Sequence, residues 1–175
     1  MQGIDKSMLP VKGVPMIQHV INQLGTNFSE IIISGDPEKY GKLRQRIIPD
    51  TTPGLGPLMG IHNCLAASGT EMNFVTACDI PDISYGIIEK MLEQSEGFDI
   101  VMPVINDKYF QPLHALYRKT VLHEAARLLE EGRFKLLELA VRVRTSYVRQ
   151  TDPFQFPNIN NMEDYENYCR LKAYK

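Results

Sequence analysis

The sequence predicts a three-layer α/β sandwich with a mainly parallel sheet. Short β-branched segments alternate with amphipathic helical segments along most of the chain, which is typical of a parallel sheet covered by helices. The apolar run at residues 74–81 is bounded by a proline and predicts a buried strand. A chain of 175 residues, 43% hydrophobic and 23% charged, is large enough for one globular domain over residues 1–175.

Asp79 closes the predicted strand, and Pro81 cannot continue its ladder. In open α/β sheets, ligands bind beyond the carboxyl ends of the strands, where a carboxylate is well placed for chemistry. In a second interpretation, Asp79 caps the following helix or is held by loop amides. Residues 74–81 alone do not decide between these two roles.

Composition narrows the classes of function. A net charge of −2 gives no electrostatic argument for nucleic acid or a membrane surface as a partner, so we expect neither. The three cysteines, Cys64, Cys78 and Cys169, are widely spaced and fit neither a disulfide framework nor a zinc pattern. No run reaches transmembrane length and no signal peptide leads the chain, so we expect a cytoplasmic protein.

The polar residues at the start of the chain predict a loop that leads directly into a helix. The helical spacing and the turn residues then predict, in order, a helix with Met16, Ile17, Val20, Ile21 and Leu24 inward, a strand at 30–34, a turn at 35–37, a short helix at 38–44 and a strand at 46–48 that breaks before Asp50.

A loop rich in glycine and proline follows, at residues 51–57. Pro57 can start a helix at 58–68, which places Gly54 and Gly56 immediately before a helix N-terminus. Free amides and the helix dipole at that position suit an anion such as phosphate. A simple tight connection is the other interpretation, and the Gly-Lys-Ser/Thr of a P-loop is absent.

The second half predicts further alternation. Its elements are a helix at 85–94 with Ile87, Ile88, Met91 and Leu92 inward, strands at 99–104 and 110–117, helices at 120–131 and 134–141, a strand at 145–148 and a helix from Met162. Pro112 favours an edge or a bulge in its strand. Asn160 with Glu163 resembles a capping box for the last helix.

Several chemistries are unsupported. The sequence has no Gly-x-Ser-x-Gly elbow, and its histidines, His19, His62, His114 and His123, share no metal-ligand spacing. Gly60 follows Gly54 and Gly56 one position too late for a dinucleotide fingerprint.

Three features remain: Asp5-Lys6 at the start, Asp50 with its glycine loop, and Asp79. If the strands are neighbours, these features face one crevice, where lysine, amides and a carboxylate suit a magnesium nucleoside triphosphate.

Ordered sequence blocks then resemble the molybdenum cofactor guanylyltransferase family. The blocks are Gly3-Ile4-Asp5-Lys6-Ser7-Met8-Leu9, Ile48-Pro49-Asp50 with Gly54-Leu55-Gly56-Pro57-Leu58-Met59-Gly60-Ile61, Cys78-Asp79-Ile80-Pro81, Pro112-Leu113-His114-Ala115-Leu116-Tyr117-Arg118, and Phe156-Pro157-Asn158-Ile159-Asn160 with Glu163-Asp164. They span essentially the whole chain, and together they are specific.

The resemblance implies a Rossmann-like nucleotide-diphospho-sugar transferase fold, with Mg²⁺ as cofactor and GTP and molybdopterin as substrates. GMP would pass from GTP to molybdenum–molybdopterin, releasing pyrophosphate. By position, Lys6 and Asp79 would be catalytic, with Lys6 on the phosphates and Asp79 on the metal. Asp50, Gly54 and Gly56 would bind the nucleotide.

Other implications of the resemblance concern the second substrate. Asn158 or Asn160 would approach that substrate or the metal, with a capping role competing for Asn160. Arg142, Arg144 and Arg149 would either meet its phosphate or form a solvated strand edge. Molybdoenzyme-maturation proteins are further expected partners.

The chain also departs from the family pattern, because it lacks the initial strand and the Gly-Gly-x-Ser-x-Arg loop before Gly3. We expect that further residues precede Met1 in the native protein. The alternatives are a related CTP- or sugar-phosphate-dependent nucleotidyltransferase and a non-catalytic nucleotide-binding homologue.

Overall fold

A computed structural model describes residues 5–50, 52, 54–150 and 156–173. The chain forms two compact units. Of the described residues, the first contains those within Met1–Glu30, Thr76–Ser84 and Asp152–Lys175, and the second contains those within Ile31–Val75 and Tyr85–Thr151. The expectation of one domain over 1–175 stays a prediction.

Helices and strands alternate along most of the described chain, as the sequence predicts. The strands are β1 (Pro10–Val11), β2 (Val14–Pro15), β3 (Ile32–Ser34), β4 (Arg46–Ile48), β5 (Met72–Thr76), β6 (Ile100–Ile105), β7 (Tyr109–Phe110), β8 (His114–Arg118) and β9 (Thr145–Gln150). The helices are α1 (Met16–Leu24), α2 (Pro37–Tyr40), α3 (Pro57–Ala67), α4 (Tyr85–Glu93), α5 (Leu122–Glu130), α6 (Leu136–Arg142) and α7 (Met162–Ala173), with short 3₁₀ helices at Lys6–Met8 and Lys119–Val121.

The first unit contains a hairpin that the sequence analysis missed. β1 and β2 pair antiparallel, with Val11 opposite Val14. Lys12 and Gly13, between them, have φ values of 48° and 83°, and two positive φ angles are what a two-residue hairpin turn requires. The prediction of a polar loop leading directly into α1 is therefore wrong.

The core of this unit joins the hairpin to both of its helices. All five predicted apolar positions of α1 are buried. One cluster of buried side chains contains Val11, Met16, Ile159 and Tyr168. Residues distant in sequence, from the hairpin to α7, therefore stabilise one another by excluding water.

The second unit has a mixed sheet centred on β6, in which all six residues are buried. β9 pairs parallel with β6 along its whole length, whereas β7 and β8 pair antiparallel with it. β5 lies beside β8, and β3 pairs parallel with β4 in a separate two-stranded sheet. The α/β class is confirmed.

Two local predictions in the second unit are wrong. Residues 110–117 do not form one strand, because a turn at Gln111–Leu113 separates β7 from β8, and His114 N–H bonds to the carbonyl of Gln111. Proline has no N–H for a ladder, which favours this break. Leu92 is 49% exposed, although the helical spacing predicts an inward position.

None of the helices in the described part of the chain has the length and apolar character needed to cross a membrane.

Candidate active site

Asp79 lies in a turn, three residues beyond the end of β5 at Thr76. The turn is closed by a hydrogen bond from Ile80 N–H to the carbonyl of Ala77, 3.2 Å long. The predicted strand end at Asp79 is therefore too late. Since α4 starts only at Tyr85, Asp79 cannot cap it, and the helix-capping role is therefore also wrong.

The surroundings of Asp79 disfavour its charged form. Burial raises the pKa of this carboxyl, while the positive charge of Lys6 and a hydrogen bond from its own backbone N–H lower it; the net pKa is raised. Among the described residues, no other group donates a hydrogen bond to its side chain. A half-buried carboxylate without a fixed partner can accept an incoming cation.

Lys6 belongs to the 3₁₀ helix Lys6–Met8, which Asp5 caps. Asp5 Oδ1 accepts hydrogen bonds from the backbone N–H and the hydroxyl of Ser7, at 3.1 and 2.8 Å. Asp5 is therefore a structural residue, whereas Lys6 is half-buried and has no carboxylate within ion-pair distance in the described chain. The structure thus brings an uncompensated ammonium into the electrostatic range of Asp79.

The segment 158–160 is attached directly to Asp79. The backbone N–H of Ile159 donates to the carbonyl oxygen of Asp79 over 2.9 Å. Asn158 and Asn160 flank buried Ile159, and both are exposed. Their amide groups make no hydrogen bond within the part of the chain that the structure describes.

The cap of α7 is one residue later than predicted. Asn161 Oδ1 accepts from the N–H of Asp164 over 2.9 Å. In return, Asp164 Oδ2 accepts from the backbone N–H groups of Asn160 and Asn161. Because Asn161 fills the capping position, the predicted competing role of Asn160 is wrong, and its amide side chain is available for another contact.

In the second unit, Asp50 is organised by Ser34 and Gly60. Ser34 Oγ, at the end of β3, donates to Asp50 Oδ1 over 3.1 Å. Gly60 of α3 lies against both residues, because a methyl group there would overlap the Ser34 hydroxyl and lie 3.5 Å from Asp50 Oδ1. The absence of a side chain at Gly60 makes room for this pair.

Gly54 and Gly56 shape the loop before α3. Their φ angles are +84° and +71°, in the region that side chains other than hydrogen disfavour. Gly56 is the N-cap of α3 and supplies no side-chain acceptor to its first turn, and Pro57 follows at the first helical position. This geometry leaves the helix N-terminus open toward an anion. Gly3, Ile4, Thr51 and Pro53 of the predicted motifs lie outside the described residues.

The three arginines considered for a phosphate all have carboxylate partners. Arg142 is in α6 and pairs with Glu124 and Glu131 at 2.9 and 2.7 Å. Arg144 pairs with Asp99 over 3.2 Å, and Arg149 pairs with Asp107 over 2.7 Å. Their charges are compensated internally, which favours a structural role.

The donor set limits how a metal could bind. Within the described chain, no group of three or more His, Cys, Asp and Glu side chains is placed to hold a metal ion. Mg²⁺ commonly keeps several waters and takes only one or two carboxylates together with substrate phosphates. Asp79 fits that role, whereas the described residues do not form a site made by protein ligands alone.

Sequence reasoning missed Ser34 and Gly60. A signal for Ser34 was present, because a polar residue ending a strand next to another strand-end carboxylate is a common site pattern. Gly60 gave no such signal, since a glycine inside a helix indicates that another group packs closely against it but does not identify that group.

Comparisons with known proteins match this chain over most of its length. Residues 1–146 match the family described as MobA-like NTP transferase domain. The chain is 36% identical, over 149 residues, to a probable molybdenum cofactor guanylyltransferase from Pelotomaculum thermopropionicum, covering 85% of this chain and 72% of that protein.

Solved structures are similar in fold. The molybdopterin-guanine dinucleotide biosynthesis protein A from Archaeoglobus fulgidus matches with a TM-score of 0.84 and 23% identity, over 99% of this chain and 93% of the other. The Rv0371C complex with manganese from Mycobacterium tuberculosis matches with a TM-score of 0.70 and 15% identity, over 96% and 93%.

Proposed function

The chain belongs to the family of MobA-like NTP transferase domains and is a nucleotidyltransferase; on that premise, we propose that it transfers GMP from GTP to molybdenum–molybdopterin. The products are the guanine dinucleotide form of the cofactor and pyrophosphate. The relative from P. thermopropionicum, named for this activity, supports the choice of substrates.

The observation that carries the proposal is that the Lys6 ammonium lies near the Asp79 carboxylate without direct contact. Within the described chain, an ammonium without an ion-pair partner lies within electrostatic range of a half-buried carboxylate whose side chain no other described residue fixes. A structural ion pair would be closed by direct contact. Two separated, opposite charges are suited to an anionic phosphate and a cation that bind together.

The reaction needs few protein groups. The terminal phosphate of molybdopterin is already an anion, and one of its oxygens attacks the α-phosphorus of GTP. The bond from the α-phosphorus to the bridging oxygen breaks, and pyrophosphate leaves with that electron pair. No proton has to be removed from the nucleophile, so the protein acts by positioning and by neutralising charge.

Each proposed residue has one task in this reaction. Lys6 places its ammonium on the phosphate oxygens. Asp79 would hold the divalent cation, for which we propose Mg²⁺, and that ion would supply orientation of the triphosphate and neutralisation of the charge on the departing pyrophosphate. The manganese named with the Rv0371C structure supports a divalent cation.

Asp50, Gly54 and Gly56 have the task of binding the nucleotide. Gly54 and Gly56 permit the backbone to approach an anion closely, and Ser34 fixes the direction of the Asp50 carboxylate. Asn158 or Asn160 contacts the second substrate or the metal through its exposed amide. Molybdoenzyme-maturation proteins are proposed recipients of the product, in the cytoplasm.

The test is turnover with defined substrates. The purified chain is incubated with Mg²⁺, molybdenum-loaded molybdopterin and either GTP or CTP, and pyrophosphate and the dinucleotide are measured, the latter by mass spectrometry. We expect pyrophosphate and guanine dinucleotide in equal amounts with GTP, and neither when molybdopterin is omitted. Preferential use of CTP would show that the chain transfers a cytidylyl group and not a guanylyl group. The absence of turnover with both nucleotides would overturn the proposal.

A further inference from the structure

The side chain of Gln23 ties the turn that carries Asp79 to helix α1. Residues 79–83 are called the Asp79 loop below. Gln23 Nε2 donates to the carbonyl oxygen of Pro81 over 2.7 Å, and Gln23 Oε1 accepts from the N–H of Ile83 over 3.1 Å. Both ends of the amide group are used, so the backbone of the loop is held on both sides of Asp82.

The same loop is tied to helix α7 through Asp82. Asp82 Oδ1 accepts from the hydroxyl of Tyr168 over 2.9 Å, and Asp82 Oδ2 forms an ion pair of 2.8 Å with Lys172 Nζ. Tyr168 is only 5% exposed and belongs to the core of this unit. Because its ring is immobilised by packing, its hydroxyl is a fixed anchor for Asp82.

A third attachment reaches Asp79 itself, through the bond from Ile159 N–H to its carbonyl oxygen. Ile159 is 1% exposed and packs in the same core as Tyr168. The segment around α7 therefore holds the loop at its first residue and at its fourth. By contrast, the carboxylate of Asp79 has no anchor from another described residue, so its direction depends on the backbone beneath it.

Asp82 is not available as a second cation ligand. Each of its oxygens already has a partner, one a hydroxyl and the other an ammonium. Replacing Lys172 by a divalent cation would leave that ammonium without its counter-ion. The chemistry of Asp82 is therefore that of an anchor.

Precise orientation matters for a hard divalent cation. Mg²⁺ demands near-octahedral geometry with short oxygen distances, and groups that hold a ligand in position influence its affinity strongly. A turn without anchors would sample many directions of the carboxylate. We propose that Asp82 and Tyr168 are positioning residues, which fix the Asp79 loop so that its carboxylate meets the cation of the bound nucleotide. This inference rests on the proposed function.

The chain offers a matched pair of variants to test it. Tyr168→Phe removes one hydroxyl from α7 and with it an anchor of the Asp79 loop. Tyr165→Phe removes one hydroxyl from the same helix, but that group donates to the carbonyl of Pro10, 2.6 Å away, in the hairpin. Asp82→Asn changes the other member of the Tyr168–Asp82 hydrogen bond. If that variant does not fold, Tyr168→Phe by itself tests the hydrogen bond.

The probe is Mn²⁺ with GTP and no acceptor, followed on the full chain by water-proton relaxation. We expect Tyr168→Phe to weaken Mn²⁺ binding in the ternary complex about tenfold. This is the lower end of the range of affinity losses that follow replacement of a residue that holds a metal ligand in position. Tyr165→Phe should leave it unchanged. In turnover assays, excess metal should restore the kcat of Tyr168→Phe. The KM for GTP at saturating metal should be unaltered. A general loss of structure would not permit this rescue.

Two results separate the two proposals. If the wild-type chain takes up no Mn²⁺ with GTP, the metal role of Asp79 and the proposed function fail together. If the wild type binds Mn²⁺ but Tyr168→Phe and Tyr165→Phe bind it equally well, the positioning role is overturned and the proposed function stands.

Discussion

The hydroxyl of Ser34 donates to Asp50 Oδ1 over 3.1 Å, and the contact is possible because residue 60 of the neighbouring helix is a glycine. The pair joins the end of β3 to the segment that follows β4. These two strands run parallel, with Ser34 opposite Ile48. We propose that the Asp50 carboxylate binds the nucleotide. Its direction is thus set by a residue at the end of a strand, and the space around it is restricted by a helix.

Gly60→Ala should therefore impair both stability and nucleotide binding. The new methyl group would overlap the Ser34 hydroxyl, and such overpacking costs about 1–3 kcal/mol, against about 1 kcal/mol gained from the helix preference of alanine. We expect a lower free energy of unfolding in urea and a raised KM for GTP.

Gly86→Ala is the control for Gly60→Ala, because it too lies in a helix and a methyl group there would meet nothing within 4 Å. It should raise stability by about 0.5–1 kcal/mol and leave KM unchanged. Equal effects of the two variants would contradict the packing argument.

Asn160 and Asn161 should separate function from stability. Asn161→Ala removes the acceptor for the N–H of Asp164 and should cost about 1 kcal/mol of unfolding free energy. Asn160→Ala removes no hydrogen bond of the described chain, so its stability should stay within about 0.5 kcal/mol of wild type. Turnover should fall more in Asn160→Ala, as measured by pyrophosphate release. A larger loss of stability in Asn160→Ala would return Asn160 to a capping role, and a larger loss of turnover in Asn161→Ala would contradict the proposed substrate or metal contact of Asn160.

Asp79→Asn should abolish turnover without unfolding the protein. Burial raises the pKa of Asp79, so the folded state binds its proton more tightly than the unfolded state does. The wild type therefore loses stability as pH rises from the unfolded pKa through the higher folded one, and at neutral pH the neutral asparagine avoids that cost.

Calorimetry at pH 7 should thus give a Tm for Asp79→Asn at or above that of the wild type. Asp107→Asn is the matched control, since Asp107 is an exposed partner of Arg149, and its turnover should stay near the wild-type level. A marked drop in Tm for Asp79→Asn would indicate a structural carboxylate instead.

His114 should make the fold sensitive to acid. Its ring is fully buried and packs edge-to-face on Phe74, with ring centroids 4.9 Å apart. Burial lowers the pKa of His114 from 6.5 to about 4. The unfolded state therefore binds a proton before the folded state does, and stability should fall as pH drops from 6.5 to 4, by up to about 1.4 kcal/mol per pH unit.

Urea unfolding at several pH values measures that slope. His114→Gln should reduce it, whereas His123→Gln, which removes an exposed imidazole from α5, serves as the control. An unchanged slope in His114→Gln would show that acid sensitivity arises from other groups.

The sequence determined the elements whose signals are local. The apolar spacing of α1 predicted all five of its buried residues, and Pro57 after two glycines predicted the start of α3, because helix periodicity and backbone restrictions act within a few residues. Strand-end position selected Asp50 and Asp79 as candidates, and Lys6, at the start of the chain, was selected with them through the resemblance to a family. What the sequence could not supply was the end of β5, three residues before Asp79, since the strand that pairs with β5 is distant in the chain.

Tertiary structure alone decided how the candidates are held. The bond from Ile159 to Asp79 spans 80 residues of sequence by the difference of their numbers, and that from Tyr168 to Asp82 spans 86. No local pattern marks such contacts, because they depend on how α7 packs in the core of its unit. The same packing places the helix cap at Asn161, whereas the sequence predicted it at Asn160. Residue type and periodicity determined which groups could do the chemistry, and long-range packing determined their direction.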